Sequence, residues 1–522
     1  MAGGEDTSED GDVERELREG TSPRDEPEIE FRGGRAMSAF PIAFFIAWAV
    51  VQSGLLRIGD TTGLAAGMLI GLTVGMLFVR GSWKGYANTI FEGMTRRVAA
   101  TAIVAWLWAG MFAETIQVGG FVSGLVWAAD AAGVGATLFP AITFVLAGLL
   151  ATGIGTGYGT TVAFSSLFFP AGVLLGANPV LLFGAILSGA VFGDNLAPVS
   201  DTTIVSAVTQ DADIGGVVAS RFKYAIVAAV FAFAAYVVAG SVMEGVSVSG
   251  DARAILIAES DPAGLVHLVS MGVVIATAVA GRHIVEAISW GLIVAAAFNL
   301  LFGLASVSDM IVLRAPADAP IGDAVEFLPF VEVVGENPAV AGSIYDGAAG
   351  FFPLIVLTLL IVAGAQIMIR GGGFAALQDW LLDNVATSVR RAETTMVGGT
   401  ALVNAMITIN TAAEIAIAPY IARIGERFNI NGYRRANILD ANTSALGYIF
   451  PWSGGVLVGY AQLTDLPETY SWFSRSMVVN PADVFLYVFH GWFLVAVFLI
   501  AAVTGFGREY VHDRESGEVA RL

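Results

Sequence analysis

The sequence has no cysteine and almost no lysine. Without cysteine, disulfides, thiolate metal sites and cysteine nucleophiles are excluded. Lys84 and Lys223 are the only lysines among 26 basic residues, and the formal net charge is −19. Such a composition is typical of a halophilic protein in a salt-rich cytoplasm, although a coding bias alone would also give arginine in place of lysine. Four scattered histidines, with no HExxH or GxSxG motif, leave no pattern typical of an enzyme.

Charged residues are also scarce, at 14% of the chain, against about 25% in ordinary soluble domains. Hydrophobic residues make up 56% and gather in long runs, such as 36–56, 222–242 and 484–503. A bilayer core of ~30 Å needs about 20 apolar residues in a helix. The sequence therefore predicts an all-α polytopic protein of the cell membrane, with roughly ten to twelve transmembrane helices, several of them interrupted.

The two ends of the chain differ from the apolar middle. Residues 1–35 hold 12 acidic and 5 basic residues, which predicts a disordered acidic N-terminal tail. Residues 36–245 and 262–505 form the first and second predicted transmembrane halves, and 506–522 a polar C-terminal tail. Basic residues flank the first two predicted spans on the same side, which predicts a cytoplasmic N-terminus.

The two predicted halves carry a weak internal repeat. Residues 119–121 (Gly-Gly-Phe) recur as residues 372–374, at an offset of 253. Ser200 and Ser453, each two residues after a proline, share the same offset. Many secondary transporters are built from repeated halves, with substrate sites on helices that break near the membrane midplane. We therefore predict two inverted-topology repeats with broken or re-entrant helices at the midplane.

Segment 193–203 is the clearest candidate for such a break. It places a proline and two carboxylates, Asp194 and Asp201, between apolar runs. A broken helix is tolerated in a membrane only where it is buried in protein or lines a cavity. Oxygen atoms gathered there suit a dehydrated Na⁺, and burial lets a carboxylate exchange a proton near neutral pH. One aspartate can bind H⁺ or Na⁺ but not both, which is the minimal chemistry of antiport.

Three further regions supply candidates. The Gly/Thr-rich segment 152–161 precedes the first break, the second half has an isolated glutamate in an apolar run, and polar segments follow it. The candidate ion-binding residues are Asp194, Asn195, Ser200, Asp201, Thr202, Thr203, Thr156, Thr160, Glu414, Asp440, Asn410 and Ser453. Among them, Asp194 and Asp201 are the predicted Na⁺ ligands.

Simpler interpretations of these residues stay open. The two aspartates of segment 193–203 could be loop residues at a membrane surface. Glu414 could snorkel to the surface or pair with Arg423. Asp440 could lie at a helix end near Arg434 and Arg435. The Gly/Thr-rich segment could serve close packing between helices.

The sequence resembles the NhaC-type Na⁺/H⁺ antiporter family. Segment 193–203 resembles that family's GD-x-x-x-P-x-SDTT signature, and 151–160 its ATG-x-x-aromatic-GT segment; 211–224 and 439–452 are also similar. The resemblance implies two inverted halves, broken helices and exchange of Na⁺ for H⁺. It points to Asp194, Ser200, Asp201, Thr202 and Thr203. Members often carry a basic residue or histidine where this chain has Asn195.

Two functions follow as expectations, and both are transport rather than catalysis. The first is secondary active exchange of Na⁺ for H⁺, with carboxylates that bind the two ions in competition. The alternative is a Na⁺-coupled carrier or exchanger of a small organic anion or amino acid, because relatives in the family include such exchangers. Half-helix N-termini and an arginine would hold its carboxylate, and Gln366 and Arg370 are the best candidates.

The expected partners follow from these two functions. We expect Na⁺ and H⁺ as transported ions, a lipid bilayer as the surroundings, no cofactor and no nucleic acid. A homodimer is left open.

Overall fold

A computed structural model describes residues 28–198, 200–246, 260–280, 282–320, 322–334 and 338–511. Most of the predicted N-terminal tail and the last eleven residues of the predicted C-terminal tail lie outside this range. The end of the N-terminal tail is described, and it packs on the body of the protein. Ile29 and Phe31 are buried, and Phe31 forms an isolated β-bridge with Val79.

The first half of the chain folds into ten α-helices within the described residues. Their bounds are α1 (Phe40–Ala49), α2 (Thr61–Gly75), α3 (Trp83–Met94), α4 (Arg97–Val118), α5 (Phe121–Ala131), α6 (Phe139–Ile154), α7 (Gly157–Leu174), α8 (Pro179–Leu196), α9 (Asp201–Thr209) and α10 (Ile214–Val242). Side-chain caps fix several starts, because the capping oxygen accepts a hydrogen bond from an otherwise free amide. Asp60, Thr156, Asn178 and Asp213 cap α2, α7, α8 and α10 in this way.

A connecting region follows, in which three α-helices lead to a small sheet. Its elements are α11 (His267–Val279), α12 (Ile284–Phe302), α13 (Val307–Met310), β1 (Val312–Pro316), α14 (Gly322–Val325), β2 (Val331–Val334), β3 (Ala339–Ala341) and α15 (Ser343–Ala349). The strand order is β2-β1-β3, with β1 parallel to β2 and antiparallel to β3. The sequence does not predict this sheet, because strands of three to five residues are too short to show a clear alternation.

The second half returns to helices. Their bounds are α16 (Phe352–Arg370), α17 (Gly373–Asn384), α18 (Val389–Ile407), α19 (Asn410–Phe428), α20 (Gly432–Leu446), α21 (Gly454–Thr469), α22 (Pro481–Val484) and α23 (Phe489–Thr504). α10 and α23 pack against each other and so join the ends of the two halves.

The protein is a mostly helical, multi-pass membrane protein, as predicted. Within the described residues, eight helical spans are long and apolar enough to cross a membrane. α7 is not among these eight, and all of its residues from Gly157 to Leu174 that the structure describes are buried. A helix enclosed by other helices does not need a lipid-facing surface, so it can carry more polar residues. The number of ten to twelve spans stays a prediction, because enclosed helices such as α7 fall outside these eight.

The backbone breaks recur at the offset of the sequence repeat. Gly120 and Gly372 have φ of +78° and +75° and precede α5 and α17. Gly155 and Thr408 have φ of +72° and +66° and end α6 and α18. The members of each pair are 252 and 253 residues apart. Positive φ is uncommon for a residue like Thr408, so the fold itself requires this break. The inverted orientation of the halves and the domain boundaries stay predictions.

Candidate functional site

Four helix breaks meet in the interior of the protein. One break separates α8 from α9 and its counterpart separates α20 from α21; the other two separate α6 from α7 and α18 from α19. α9 packs against α19 and α20, so the broken helices of both halves are in contact. The Gly454 amide donates to the Thr408 carbonyl at 2.9 Å. This bond joins the α18–α19 break directly to the α20–α21 break.

Asp194 lies in the last turn of α8 and is buried, with 3% of its surface exposed. Its Oδ1 accepts a hydrogen bond from Ser200 Oγ at 2.8 Å, and its Oδ2 accepts one from the Tyr448 hydroxyl at 3.3 Å. Ser200 Oγ also lies 3.0 Å from Thr202 Oγ1. Asp194 is thus held in the interior by both halves, and it is not a loop residue at the membrane surface.

Asp201 is the first residue of α9. Its Oδ2 accepts a hydrogen bond from Thr411 Oγ1 at 2.5 Å, and its Oδ1 accepts one from the Thr202 amide at 3.0 Å. A negative charge is favourable at this position, because the helix dipole is positive at the N-terminus. Asp201 is exposed although Ser200 and Thr202 on either side of it are buried. Asp201 is therefore the more exposed of the two carboxylates of this break.

Asp440, on α20, is a different kind of carboxylate. It forms an ion pair with Arg221 of α10, and both side chains are fully buried. Asp440 also accepts hydrogen bonds from Ser444 Oγ at 2.7 Å and Thr203 Oγ1 at 3.2 Å. Arg221 donates to the Asn195 carbonyl at 2.7 Å, at the end of α8. The charge of Asp440 is thus neutralised, and its oxygens are already occupied.

Asp440 and Glu414 do not pair with the arginines that the sequence offers as their alternative partners. Arg434 pairs with Glu393 at 2.8 Å rather than with Asp440. Arg423 pairs with Asp379 at 3.3 Å rather than with Glu414.

Glu414, on α19, is fully buried. Its Oε1 accepts a hydrogen bond from Thr443 Oγ1 at 2.8 Å. Its Oε2 has no hydrogen-bond partner among the described residues. An unpaired buried carboxylate is costly, so a proton or a cation must accompany it.

Two amide side chains add neutral oxygens to this region. Asn195 donates through Nδ2 to the Val191 carbonyl at 2.9 Å, while its Oδ1 has no partner within the described chain. Asn410, the first residue of α19, is buried, and neither atom of its amide has a partner there. A Cβ at Gly447 would lie 1.5 Å from Asn410 Oδ1, so any larger residue at 447 would displace this amide. Both amides can accept a ligand without losing a bond to the protein.

Three of the predicted ion-binding residues make hydrogen bonds only within their own segment of the chain. Thr156 Oγ1 accepts from the Gly159 amide at 3.3 Å, and Thr160 Oγ1 donates to the Thr156 carbonyl at 3.0 Å. Ser453 Oγ donates to the Phe450 carbonyl at 2.7 Å. These hydroxyls shape the starts of α7 and α21.

Gln366 and Arg370, which the sequence offered for a carboxylate substrate, belong to a separate cluster. Both bond Glu92 of α3, and Arg370 also pairs with Glu28 at 2.6 Å. Their polar atoms are thus occupied by protein carboxylates away from the broken helices.

Sequence reasoning missed Tyr448, Thr411 and Arg221 as site residues. Each reaches the α8–α9 break from another part of the chain, as Tyr448 does over 254 residues. Arg221 belongs to a segment that resembles the antiporter family, which is the one signal that could have marked it.

The charges of the site separate its carboxylates into two groups. Within the described residues, Asp194, Asp201 and Glu414 have no arginine, lysine or histidine ion-pair partner, whereas Asp440 has Arg221. No three His, Asp or Glu side chains of the described chain gather closely enough to hold a metal ion by themselves. A cation bound here would therefore take hydroxyl, amide or carbonyl oxygens as well as carboxylates, as Na⁺ can.

Comparison with known proteins gives a family match over most of the chain. The model of the Na⁺/H⁺ antiporter family matches residues 33–217 and 192–492. A malate-2H⁺/Na⁺-lactate antiporter of Bacillus subtilis (strain 168) is 26% identical over 210 residues, which are 40% of each chain. The arginine/ornithine antiporter ArcD of Halobacterium salinarum is 28% identical over 228 residues, which are 42% of this chain and 44% of ArcD.

The likeness to these relatives is partial. The chain matches about two fifths of the length of each of these curated relatives. Among solved structures, MtrF of Neisseria gonorrhoeae, described as one of a class of antimetabolite efflux pumps, aligns over 88% of this chain and 94% of its own. The TM-score is 0.41 and the identity 12%.

Proposed function

The chain belongs to the Na⁺/H⁺ antiporter family and is a secondary transporter, and from this premise we propose that it exchanges Na⁺ for H⁺ at Asp194 and Asp201. One observation carries the proposal. The two carboxylates flank a helix break and have no cationic partner among the described residues, while Asp440 nearby is neutralised by Arg221. A buried charge without a partner is costly. Buried Asp194 therefore needs either a proton or a bound cation, and exposed Asp201 lies at the other side of the same break.

Competition between the two ions follows from this need. A protonated carboxylic acid cannot bind Na⁺ at the same oxygens, and bound Na⁺ removes the reason to hold a proton. Asp201 is exposed and Asp194 is buried. An ion arriving from solvent thus meets Asp201 first and is enclosed at Asp194.

Neutral oxygens complete the proposed site. Ser200, which donates to Asp194, and Thr411, which donates to Asp201, keep lone pairs that can face a cation. Glu414 and Asn410 bring oxygens from the second half that no described residue occupies. Of the two acidic candidates in the second half, Glu414 is favoured over Asp440, whose charge Arg221 already neutralises.

The test is Na⁺-driven recovery of an imposed pH gradient in proteoliposomes of the purified protein. Added Na⁺ alone should dissipate the gradient, and Asp201→Asn should abolish this response while membrane expression is retained. Asp130→Asn, at an exposed aspartate on α5, is the matched control and should behave as the unchanged protein. Because H⁺ and Na⁺ compete, lowering the pH should raise the Na⁺ concentration needed for half-maximal exchange. Full activity of Asp201→Asn would overturn the assignment.

A second candidate is exchange of an organic anion or amino acid coupled to Na⁺. It is favoured by the buried Arg221 next to the Asn195 carbonyl and by the names of the two relatives. Asp440 already occupies this arginine, which argues against a substrate carboxylate there. If Na⁺ has no effect until an organic acid or amino acid is supplied in the same assay, this second candidate replaces the first.

A further inference from the structure

The segment that follows α23 folds back onto the starts of α10 and α20. This segment, residues 505–511, is called the strap below. Its Tyr510 forms an isolated antiparallel β-bridge with Ile430. The Asn431 amide donates to the Glu509 carbonyl at 3.1 Å. The strap is thus paired with the short connection that leads from α19 into α20.

The strap also crosses Tyr224 of α10 at close range. The Tyr224 hydroxyl lies 3.3 Å from the carbonyl oxygens of both Phe506 and Gly507. A Cβ at Gly507 would lie 1.9 Å from this hydroxyl, and the φ of Gly507 is +63°. A residue with a side chain at 507 would therefore push the strap away from α10.

An ion-pair cluster, the Glu393 cluster, lies beneath the strap. Glu393 of α18 is fully buried, and it pairs with Arg434 of α20 at 2.8 Å and with Arg508 of the strap at 2.7 Å. Arg434 also donates to the Tyr224 hydroxyl at 2.9 Å. These four side chains join α10, α18, α20 and the strap in one network.

The same two helices, α10 and α20, carry the buried ion pair of the candidate site. Arg221 of α10 pairs with Asp440 of α20. Tyr224 comes three residues after Arg221, and its partner Arg434 comes six residues before Asp440. α10 and α20 are therefore antiparallel, and the Glu393 cluster and the ion pair are neighbours along one interface. A shift of α20 along α10 disturbs both of them.

The Glu393 cluster can lose Arg508 without leaving a buried carboxylate unpaired. Glu393 has one negative charge and two arginine partners, so Arg434 alone neutralises it. The Arg508 side chain is 16% exposed, whereas that of Arg434 is 1% exposed, so Arg508 is the arginine with a path to water. Breaking a buried pair is costly mainly because it leaves an uncompensated charge. The contact between the strap and Glu393 is therefore easier to open than the pair of Arg221 and Asp440.

We propose that the strap is a latch that limits the movement of α20 against α10. A secondary transporter exposes its site to each membrane face in turn, by moving one part of the molecule against another. α10 belongs to the first half and α20 to the second, and Arg508 holds both through the Glu393 cluster. When Arg508 leaves Glu393, the strap lifts from Tyr224 and Ile430 and the two helices can move. This holds whichever substrate the protein transports.

The absence of cysteine makes the latch directly measurable. Ile430→Cys gives the full chain a single thiol at a position beside the strap that is 1% exposed. In the purified protein, its rate of reaction with N-ethylmaleimide should follow the fraction of molecules whose strap is open. Adding Arg508→Gln should raise this rate about 10-fold, because hydrogen bonds to a charged group are lost. Arg475→Gln, at an exposed arginine, is the matched control and should leave the rate unchanged.

A second thiol measures the movement of the helices themselves. Ala436 of α20 is fully buried and packs with Val217 of α10. The thiol of Ala436→Cys should also react faster when Arg508→Gln is added. Ile186→Cys, at a fully buried position on α8, should stay unreactive in both backgrounds, since the rest of the fold remains closed.

A spin label serves if Ile430→Cys does not fold. Val511 is an exposed residue of the strap, so Val511→Cys can be labelled without disturbing the core. The electron paramagnetic resonance spectrum should show restricted motion of the label with Arg508 present and mobile behaviour with Arg508→Gln.

These measurements need no transported ion, so they stand even if the proposed exchange of Na⁺ for H⁺ fails. In whichever proteoliposome assay the protein transports, Arg508→Gln should raise the initial rate. The latch is excluded if Arg508→Gln leaves the thiol at 430 and the label at 511 unchanged, or if the thiol at 186 reacts faster by the same factor. If the strap opens but the thiol at 436 stays unreactive, the strap does not restrain α20.

Discussion

The two halves of the molecule share a helix break, but only the first half has a charged residue at it. Ser200 and Ser453 stand at the same repeat position, and each is the buried residue before a helix, α9 or α21. The next residue is Asp201 in the first half and Gly454 in the second. Asp201 turns a carboxylate toward Thr411 of the other half, whereas Gly454 turns a backbone amide toward the Thr408 carbonyl. The repeat thus gives two similar helix breaks, and only the break of the first half has an aspartate after its serine.

The same asymmetry appears one helix earlier. Asp194, near the end of α8, accepts hydrogen bonds from two hydroxyls and has no described cationic partner. Asp440, on α20, is fully paired with Arg221. An aspartate that must be able to lose its cation cannot have a permanent one beside it, whereas an aspartate that ties helices together needs one. In the proposed exchange, the first half supplies Asp194 and Asp201, and the second half contributes Glu414 and encloses them.

Removing Arg221 should have the largest effect, because it takes away the cation that distinguishes Asp440 from Asp194. Arg221→Met leaves Asp440 buried and unpaired, which we expect to destabilise the protein by roughly 3–5 kcal/mol. Arg221→Met combined with Asp440→Asn should recover most of that loss, because no unpaired charge remains. The thermal midpoint of intrinsic tryptophan fluorescence in detergent measures both effects. If the double variant is stable but has lost Na⁺/H⁺ exchange while Na⁺ no longer binds, Asp440 is an ion ligand and the halves are not divided as described.

The two serines at the same repeat position offer a more specific test, with a smaller expected effect. Ser200 Oγ donates to Asp194 at 2.8 Å, whereas Ser453 Oγ donates to the Phe450 carbonyl at 2.7 Å. Ser200→Ala removes a hydroxyl oxygen and a hydrogen bond to the charged carboxylate, and both losses weaken Na⁺ binding. We expect the half-maximal Na⁺ concentration to rise about 10-fold, since hydrogen bonds to charged groups contribute about 1.5–3 kcal/mol. Ser453→Ala should leave it nearly unchanged, and equal effects would show that both breaks bind the ion.

Variants of two asparagines in the second half should distinguish an effect on Na⁺ binding from an effect on stability. Asn404 Nδ2 donates to the Thr443 carbonyl at 2.8 Å, while the Asn410 amide has no described partner. Asn404→Ala should lower the thermal midpoint, because an unsatisfied buried carbonyl costs about 1–3 kcal/mol. Asn410→Ala should leave the midpoint almost unchanged but raise the half-maximal Na⁺ concentration about 3-fold, as expected for one neutral ligand. A stability loss at Asn410 without a change in Na⁺ affinity would remove it from the site.

The sequence predicted where the helices break better than it predicted which distant side chains hydrogen-bond to the broken segments. Proline, glycine and carboxylates inside apolar runs located the α8–α9 break and its hydroxyls, because local composition decides whether a helix can continue. It could not identify Tyr448 or Thr411, since a tyrosine or threonine in an apolar run usually packs or bonds its own helix. Nor could it tell Asp194 from Asp440. Both are aspartates in polar stretches of buried helix, and only the position of Arg221 distinguishes them.

The smallest expected effect lies at the start of α10, the helix that carries Arg221. The Tyr433 hydroxyl, and after it the Gly216 amide, hold the pKa of the Asp213 carboxyl below its usual value. A pKa lowered by folding contributes stability above the unfolded value of about 3.9. This contribution is lost as the pH falls through the lower folded pKa. Tyr433→Phe should therefore lower the thermal midpoint slightly at pH 7, and the difference from the unchanged protein should shrink under acid conditions.

Exchange should be untouched by Tyr433→Phe, because Asp213 caps the helix outside the site. Its Oδ1 accepts from the Gly216 amide at 2.7 Å, which holds the first turn of α10 even without the tyrosine hydroxyl. Arg221 lies two turns further along the same helix and is fixed separately by Asp440 and the Asn195 carbonyl. If Tyr433→Phe lowers the exchange rate as well, the cap helps to position Arg221, and the enclosing role of the second half extends to Tyr433 at the start of α20.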